Sequence, residues 1–180
     1  GSIAKWARID ADDRELTTLS LSHLFGLAHV HVYWTLGGTV FIEEKLQDIP
    51  RILERISRER ITSFPGTPGG FKMILDRFPD LFAERARGLK YIIVNSAPMA
   101  REYIQRVLDL LPHFELILVM TVHPGFGGQA FLPENLEKVA LVRRRAEGGP
   151  ASGRSLDIQV YGVIDRTTAA EARVAGADGF

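Results

Sequence analysis

Short apolar, β-branched runs alternate with segments of helical period from Thr17 almost to the end of the chain. Thr17–Leu21 predicts a short strand, and His23–Leu36 predicts a helix that is apolar nearly all round, as a buried helix is. Gly37-Gly38 stops it, and Thr39–Ile42 reads as a strand. Asp48–Arg58 predicts an amphipathic helix with Asp48 as N-cap, Pro50 in the first turn and Ile49, Ile52, Leu53 and Ile56 on one face. Ile61–Phe64 is the next strand, a Pro/Gly turn cluster fills 65–70, and Phe71–Phe78 is a shorter helix. Leu89–Val94 suits a strand buried on both faces. Ala100–Leu111 is helical in period, Phe114–Val122 is the longest strand, and Pro133–Arg145 is a helix opened by proline. A polar loop over Gly148–Ser155 precedes the strand Ile158–Val163 and the helix Thr167–Ala175.

Strands and helices in alternation imply parallel strands joined by right-handed crossovers. The expected fold is therefore α/β: three layers, a mostly parallel sheet of about six strands, and helices on both faces. An open, doubly wound sheet is favoured over a closed eight-stranded barrel, which needs about 250 residues. A length of 180 residues fits one domain over 1–180 with a core that needs no disulfide or metal to hold it.

Composition narrows the function classes. Lys+Arg and Asp+Glu are 22 each, and no basic stripe stands out, so a nucleic-acid footprint is not expected. Arg143-Arg144-Arg145 reads as the solvated end of a helix. With no cysteine, thiolate catalysis and cysteine-rich zinc sites are excluded, in keeping with a reducing, cytoplasmic setting. No apolar run reaches the roughly 18 residues of a membrane span, and no signal-peptide pattern is present. Gly1-Ser2 reads as the scar of a cleaved tag.

The densest chemical signal is the glycine-rich turn Pro124-Gly-Phe-Gly-Gly-Gln129, which directly follows a strand. Glycines there let successive backbone N–H groups point at one anion, at the usual ligand position of an α/β sheet. The string MTVHPGFGGQAF, with Leu136-Glu-Lys-Val, Ile158-Gln-Val-Tyr-Gly-Val and Ala175-Gly-Ala-Asp, resembles the ribulose-phosphate 3-epimerases over roughly residues 116–180. The resemblance implies a phosphate held by the amides of Gly125, Phe126, Gly127 and Gly128, with phosphate or sulfate as the partner. It also implies a (β/α)8 barrel and a pair of carboxylates that exchange acid and base roles beside a metal. The seventh-strand pattern Val-Asp-Gly-Gly reads here Val160-Tyr161-Gly162-Val163. Tyrosine replaces the acid/base aspartate, a phenol is a poor base at neutral pH, and a valine Cβ crowds the phosphate position. The family's early-strand metal ligands have no counterpart, so no metal or cofactor and no catalytic residue is expected.

Residues 16–115 resemble the adenylate-forming family of acyl-CoA synthetases. The resemblance rests on Leu19-Ser-Leu-Ser-His23-Leu-Phe-Gly-Leu27, Gly37-Gly-Thr39, Phe64-Pro-Gly-Thr-Pro68 and Asn95-Ser-Ala-Pro-Met99. It implies that His23 borders an acyl pocket and that Ser96, Ala97 and Pro98 lie against adenine. The expected Tyr-Gly-x-Thr-Glu motif is replaced by Thr121-Val-His-Pro-Gly125, so the two resemblances meet near 115–116. The reading is a recombined or engineered α/β chimera with no natural catalytic activity and a vestigial anion loop. The alternatives are a sugar-phosphate isomerase of the epimerase type and a fragment of an ATP-dependent acyl-adenylating ligase.

Other residues carry ordinary readings. His29 and His31, two apart on a helix, face different ways and cannot chelate one ion. Asp10, Asp12 and Asp13 read as a capped turn, and His123 as a loop residue beside the anion position. The sequence indicates neither strand order nor oligomeric state.

Overall fold

The computed structural model describes residues 9–44, 46–94, 99–110, 114, 116–122, 130–148 and 156–180. The fold is α/β, its strand pairs are all parallel, and no closed barrel forms among the described residues. The chain divides into two compact units, 1–95 and 96–180. Among the described residues there are six strands, in line with the expectation of about six, but they form one sheet of four and one of two.

In the first unit the elements are β1 (Arg14–Thr17), α1 (Leu24–Leu36), β2 (Thr39–Ile42), α2 (Ile49–Arg58), β3 (Ser63–Gly66), α3 (Pro68–Arg77), α4 (Pro79–Arg85) and β4 (Tyr91–Val94). The sheet order is β2-β1-β3-β4. Asp48 caps α2 by accepting the Arg51 N–H, and Ile49, Ile52, Leu53 and Ile56 are buried, as the pattern predicted. Phe64, Phe71 and Phe82 stack edge to face at 5.7 and 6.4 Å and join β3 to α3 and α4.

Three expectations shift here. β1 lies three residues upstream of the predicted strand, because Thr17 Oγ1 and Ser20 Oγ turn the chain by accepting the N–H groups of Leu19 and Ser22. The Pro/Gly cluster is not a simple turn: Pro65 and Gly66 end β3, while Thr67 caps α3 by accepting the Gly70 N–H. Proline is tolerated because β3 pairs with β1 only through Ser63, so Pro65 interrupts no ladder on that side. The helix α4 was missed. Pro79 begins it at a first-turn position where the absent N–H costs nothing.

The second unit holds α5 (Arg101–Leu110), β5 (Leu116–Met120), a 3-10 turn (Pro133–Asn135), α6 (Leu136–Gly148), β6 (Asp157–Tyr161) and α7 (Arg166–Val174). β5 pairs in register with β6 from Leu116↔Asp157 to Met120↔Tyr161. Its core is Val119, Val139, Val142, Ile158, Val160, Ala172 and Ala177. The predicted loop over 148–155 lies, beyond Gly148, outside the described residues.

Candidate functional site at the strand ends

In the second unit the carboxyl ends of β5 and β6 lie side by side, where ligands bind in parallel α/β sheets. The anion-loop residues Gly125, Phe126, Gly127 and Gly128, and His123 beside them, lie outside the described residues. So do Ser96, Ala97 and Pro98. The segments on either side of this glycine-rich run are described.

Thr121 is fully buried at the loop's start. Its N–H donates to the Tyr161 carbonyl at 2.8 Å, and its Oγ1 donates to the Gly162 carbonyl at 2.7 Å. Its own carbonyl accepts the Leu132 N–H at 2.7 Å, which ties the loop's two ends together. Asn135 Nδ2 then donates to the Met120 carbonyl at 2.8 Å, and Asn135 Oδ1 accepts from Lys138 Nζ at 2.7 Å. Burial lowers the Lys138 ammonium pKa, Glu134 opposes that shift, and Arg101 adds to it. Sequence reasoning missed Thr121 and Asn135. The available signal was a polar residue at each end of a glycine loop, where buried backbone groups need partners.

Beyond β6 the chain turns sharply. Gly162 has φ 123°, and a Cβ there would meet Val122 Cγ2 at 2.6 Å. Val163 has φ 45°, a left-handed conformation that a β-branched residue adopts only under strain. Asp165 follows as the N-cap of α7, accepting the N–H groups of Thr167 and Thr168 at 2.8 and 2.9 Å. Those bonds, the Thr168 amide first, hold its carboxyl pKa below the usual range. They also occupy amides that a helix N-terminus otherwise offers to an anion. Tyr161, which stands in place of the expected acid/base aspartate, is 53% exposed at the end of β6.

The first unit contains a different cluster. Glu15 on β1 is fully buried, and its Oε2 lies 2.7 Å from His29 Nδ1 on α1 and accepts Ser63 Oγ on β3 at 3.0 Å. Glu15 Oε1 is buried and has no hydrogen-bond partner among the described residues. Tyr33 and Tyr91 share a 2.6 Å hydroxyl contact nearby. Burial first, then the Glu15 charge, raises the Tyr33 phenol pKa, and burial likewise raises that of Tyr91. Serine and histidine both reach the same carboxylate oxygen rather than each other, so this is not a nucleophile-and-base relay. The sequence concealed it, because Glu15 lies upstream of the strand expected at Thr17–Leu21 and joins β1 only in the structure. A charged residue beside Leu16 and a histidine inside an apolar helix were the only signals.

His23 is exposed at the α1 N-cap position and makes no side-chain cap bond. Near the ends of β1 and β3, Thr18, Leu19, Phe64, Gly66, Phe71 and Ile74 border an apolar cavity of about 260 Å³. His29 is buried and His31 exposed, so they do face apart. In the Asp10–Asp13 turn, Asp10 accepts the Asp12 N–H, and Asp13 accepts from Thr62 Oγ1 and Lys90 Nζ. No carboxylate and histidine group suited to a metal occurs among the described residues.

Two family models match the chain. The AMP-binding enzyme model covers residues 2–127, and the ribulose-phosphate 3-epimerase family model covers residues 81–180. The chain belongs to both families. The matches overlap over 81–127, so the epimerase likeness begins ahead of the expected join. That overlap holds β4 of the first unit and α5 and β5 of the second.

The ribulose-phosphate 3-epimerase of Mycobacterium leprae (strain TN) is 45% identical over 73 residues, covering 41% of this chain and 31% of the relative. That of Escherichia coli (strain K12) is 37% identical over 106 residues, covering 59% of this chain and 44% of the relative. The chain therefore spans less than half the length of these curated relatives. Among solved structures, CmiS6 superposes with a TM-score of 0.58 at 24% identity, over 62% of this chain and 27% of that one. This likeness is one of fold.

Proposed function

We propose that the chain is a recombined α/β protein that carries out neither parental reaction and keeps an anion-binding loop at Gly125–Gly128. The observation that carries this reading is the end of β6. There an exposed Tyr161 replaces the acid/base carboxylate, and Val163 occupies a left-handed position that the epimerase pattern fills with glycine. Epimerisation removes a proton beside a carbonyl and returns one on the opposite face, so it needs one group that is a base at neutral pH and a second, protonated one that acts as the acid. The next carboxylate after β6, Asp165, is committed to capping α7.

The loop is a separate matter. Glycines between a buried Thr121 and the Leu132 tie are suited to a phosphate or sulfate held by backbone amides. Titration with inorganic phosphate, followed by amide NMR, is expected to move Gly125, Phe126, Gly127 and Gly128 selectively. Shifts spread over the surface, or none, would remove the anion site from the account. ATP–pyrophosphate exchange with a panel of carboxylic acids is expected to stay at background.

A second reading, a sugar-phosphate isomerase, is favoured by the 45% identity to an epimerase over 73 residues. It requires Tyr161 to act as the base. No helix among the described residues is long and apolar enough to cross a membrane, and we place the protein in the cytoplasm.

A further inference from the structure

The sequence holds five lysines, and three of them, Lys72, Lys90 and Lys138, lie among the described residues. Two are held by carboxylates. Lys72 Nζ pairs with Asp76 at 2.9 Å, and Lys90 Nζ with Asp13 at 2.7 Å and Asp10 at 3.9 Å. A carboxylate partner keeps an amine protonated, and an ammonium has no lone pair to give.

Lys138 is placed differently. It stands in the first turn of α6 and is half-buried, whereas Lys72 and Lys90 are exposed. Its Nζ donates at 2.7 Å to Asn135 Oδ1, a neutral acceptor. Asn135 is itself buried, and its Nδ2 donates to the Met120 carbonyl at the end of β5. Burial is the first cause of the lowered ammonium pKa of Lys138; Glu134 opposes it and Arg101 adds to it. The hydrogen bond to Asp13 acts the other way and raises the pKa of Lys90. Desolvation and a neighbouring cation are what turn a lysine into a nucleophile.

We infer that Lys138 is an acylation site, its amine accepting the acyl group of a small activated donor, an acyl phosphate or a thioester. The Nζ lone pair attacks the donor's carbonyl carbon, and the N–C bond forms as the C–O or C–S bond breaks. Phosphate or thiolate leaves with the bonding electron pair, and the amine's proton passes to solvent. The product suits the place better than the reactant does. An amide is neutral, so the burial that penalises an ammonium weighs less on it. Its one N–H is still able to donate to Asn135, so acylation removes a positive charge while the bond from Asn135 to Met120 stays in place.

The test exposes the folded full chain briefly, at neutral pH, to acetyl phosphate and separately to a neutral acetyl thioester. Peptide mass spectrometry reads acetyl occupancy at each lysine. Lys138 is expected to react severalfold faster than Lys72 or Lys90 with at least one donor, although it is the least exposed of the three. The faster donor identifies the source of the acyl group. In urea the preference should vanish, since it belongs to the folded chain.

Two exposed neighbours should act with opposite signs in the thioester reaction, where the donor carries no charge for them to steer. Arg101→Gln is expected to slow acetylation of Lys138 and Glu134→Gln to speed it, with Lys72 unmoved by either. Unchanged far-ultraviolet circular dichroism confirms that both variants fold. An order that follows exposure, with Lys72 and Lys90 ahead of Lys138 for both donors, would overturn the inference. So would a preference that persists in urea, or charge variants that leave the Lys138 rate unchanged or move it the other way.

Discussion

At the scale of single residues, two positions carry most of the story. Val163 holds a conformation that glycine adopts freely, at the place where the epimerase pattern has glycine. Val163→Gly is therefore expected to stabilise the second unit by about 1 kcal/mol, read as a higher urea midpoint with unchanged slope. A loss of stability would mean that the exposed valine side chain makes contacts worth more than the strain. This strain was legible in part from sequence, since Val163 broke a glycine pattern, but the sign of φ was not.

Glu15 is the second position, and the sequence hid it. Its carboxylate lies buried between His29 and Ser63, with one oxygen unpaired among the described residues. Removing one partner of a buried pair leaves the other uncompensated. His29→Leu is expected to cost about 3–5 kcal/mol. The double change Glu15→Leu with His29→Leu should recover most of that loss in chemical denaturation. Equal losses from the single and double variants would show that the pair is not coupled.

At the scale of elements, helices with a cap and one apolar face were the most legible. Asp48, Pro50 and the four buried positions of α2 announced both its start and its buried face. Asp48→Ala should lower stability by about 1 kcal/mol in thermal unfolding, because the Arg51 N–H loses its acceptor. An unchanged midpoint would show that water replaces the cap without penalty.

Strand limits were less legible. β1 and β3 are placed by pairing, through Arg14–Thr17 on β2 and Ser63–Gly66 on β4, and pairing across distant segments leaves little local trace. The split into sheets of four and two strands was not readable either. Periodicity reports that a strand is buried, not which neighbour it has. For α1 the same limit applied: an all-round apolar pattern predicted burial on every side, whereas Leu24, Leu27 and Trp34 are exposed among the described residues.

At the scale of the whole molecule, the chain joins segments of two enzyme families whose matches overlap over 81–127. Parallel strands with helical crossovers are interchangeable in hydrophobic pattern, and this is why the join leaves an α/β fold. Catalytic groups are not interchangeable in that way. They sit on loops at strand ends, and in the reading proposed above one family's segment displaces there the residues the other requires.

The most direct test of this account is turnover of ribulose 5-phosphate by the full chain, measured with and without added divalent metal. The account predicts no conversion above buffer for either the wild type or Tyr161→Phe. Conversion by the wild type that Tyr161→Phe abolishes would contradict it, and would make Tyr161 the base of a working isomerase.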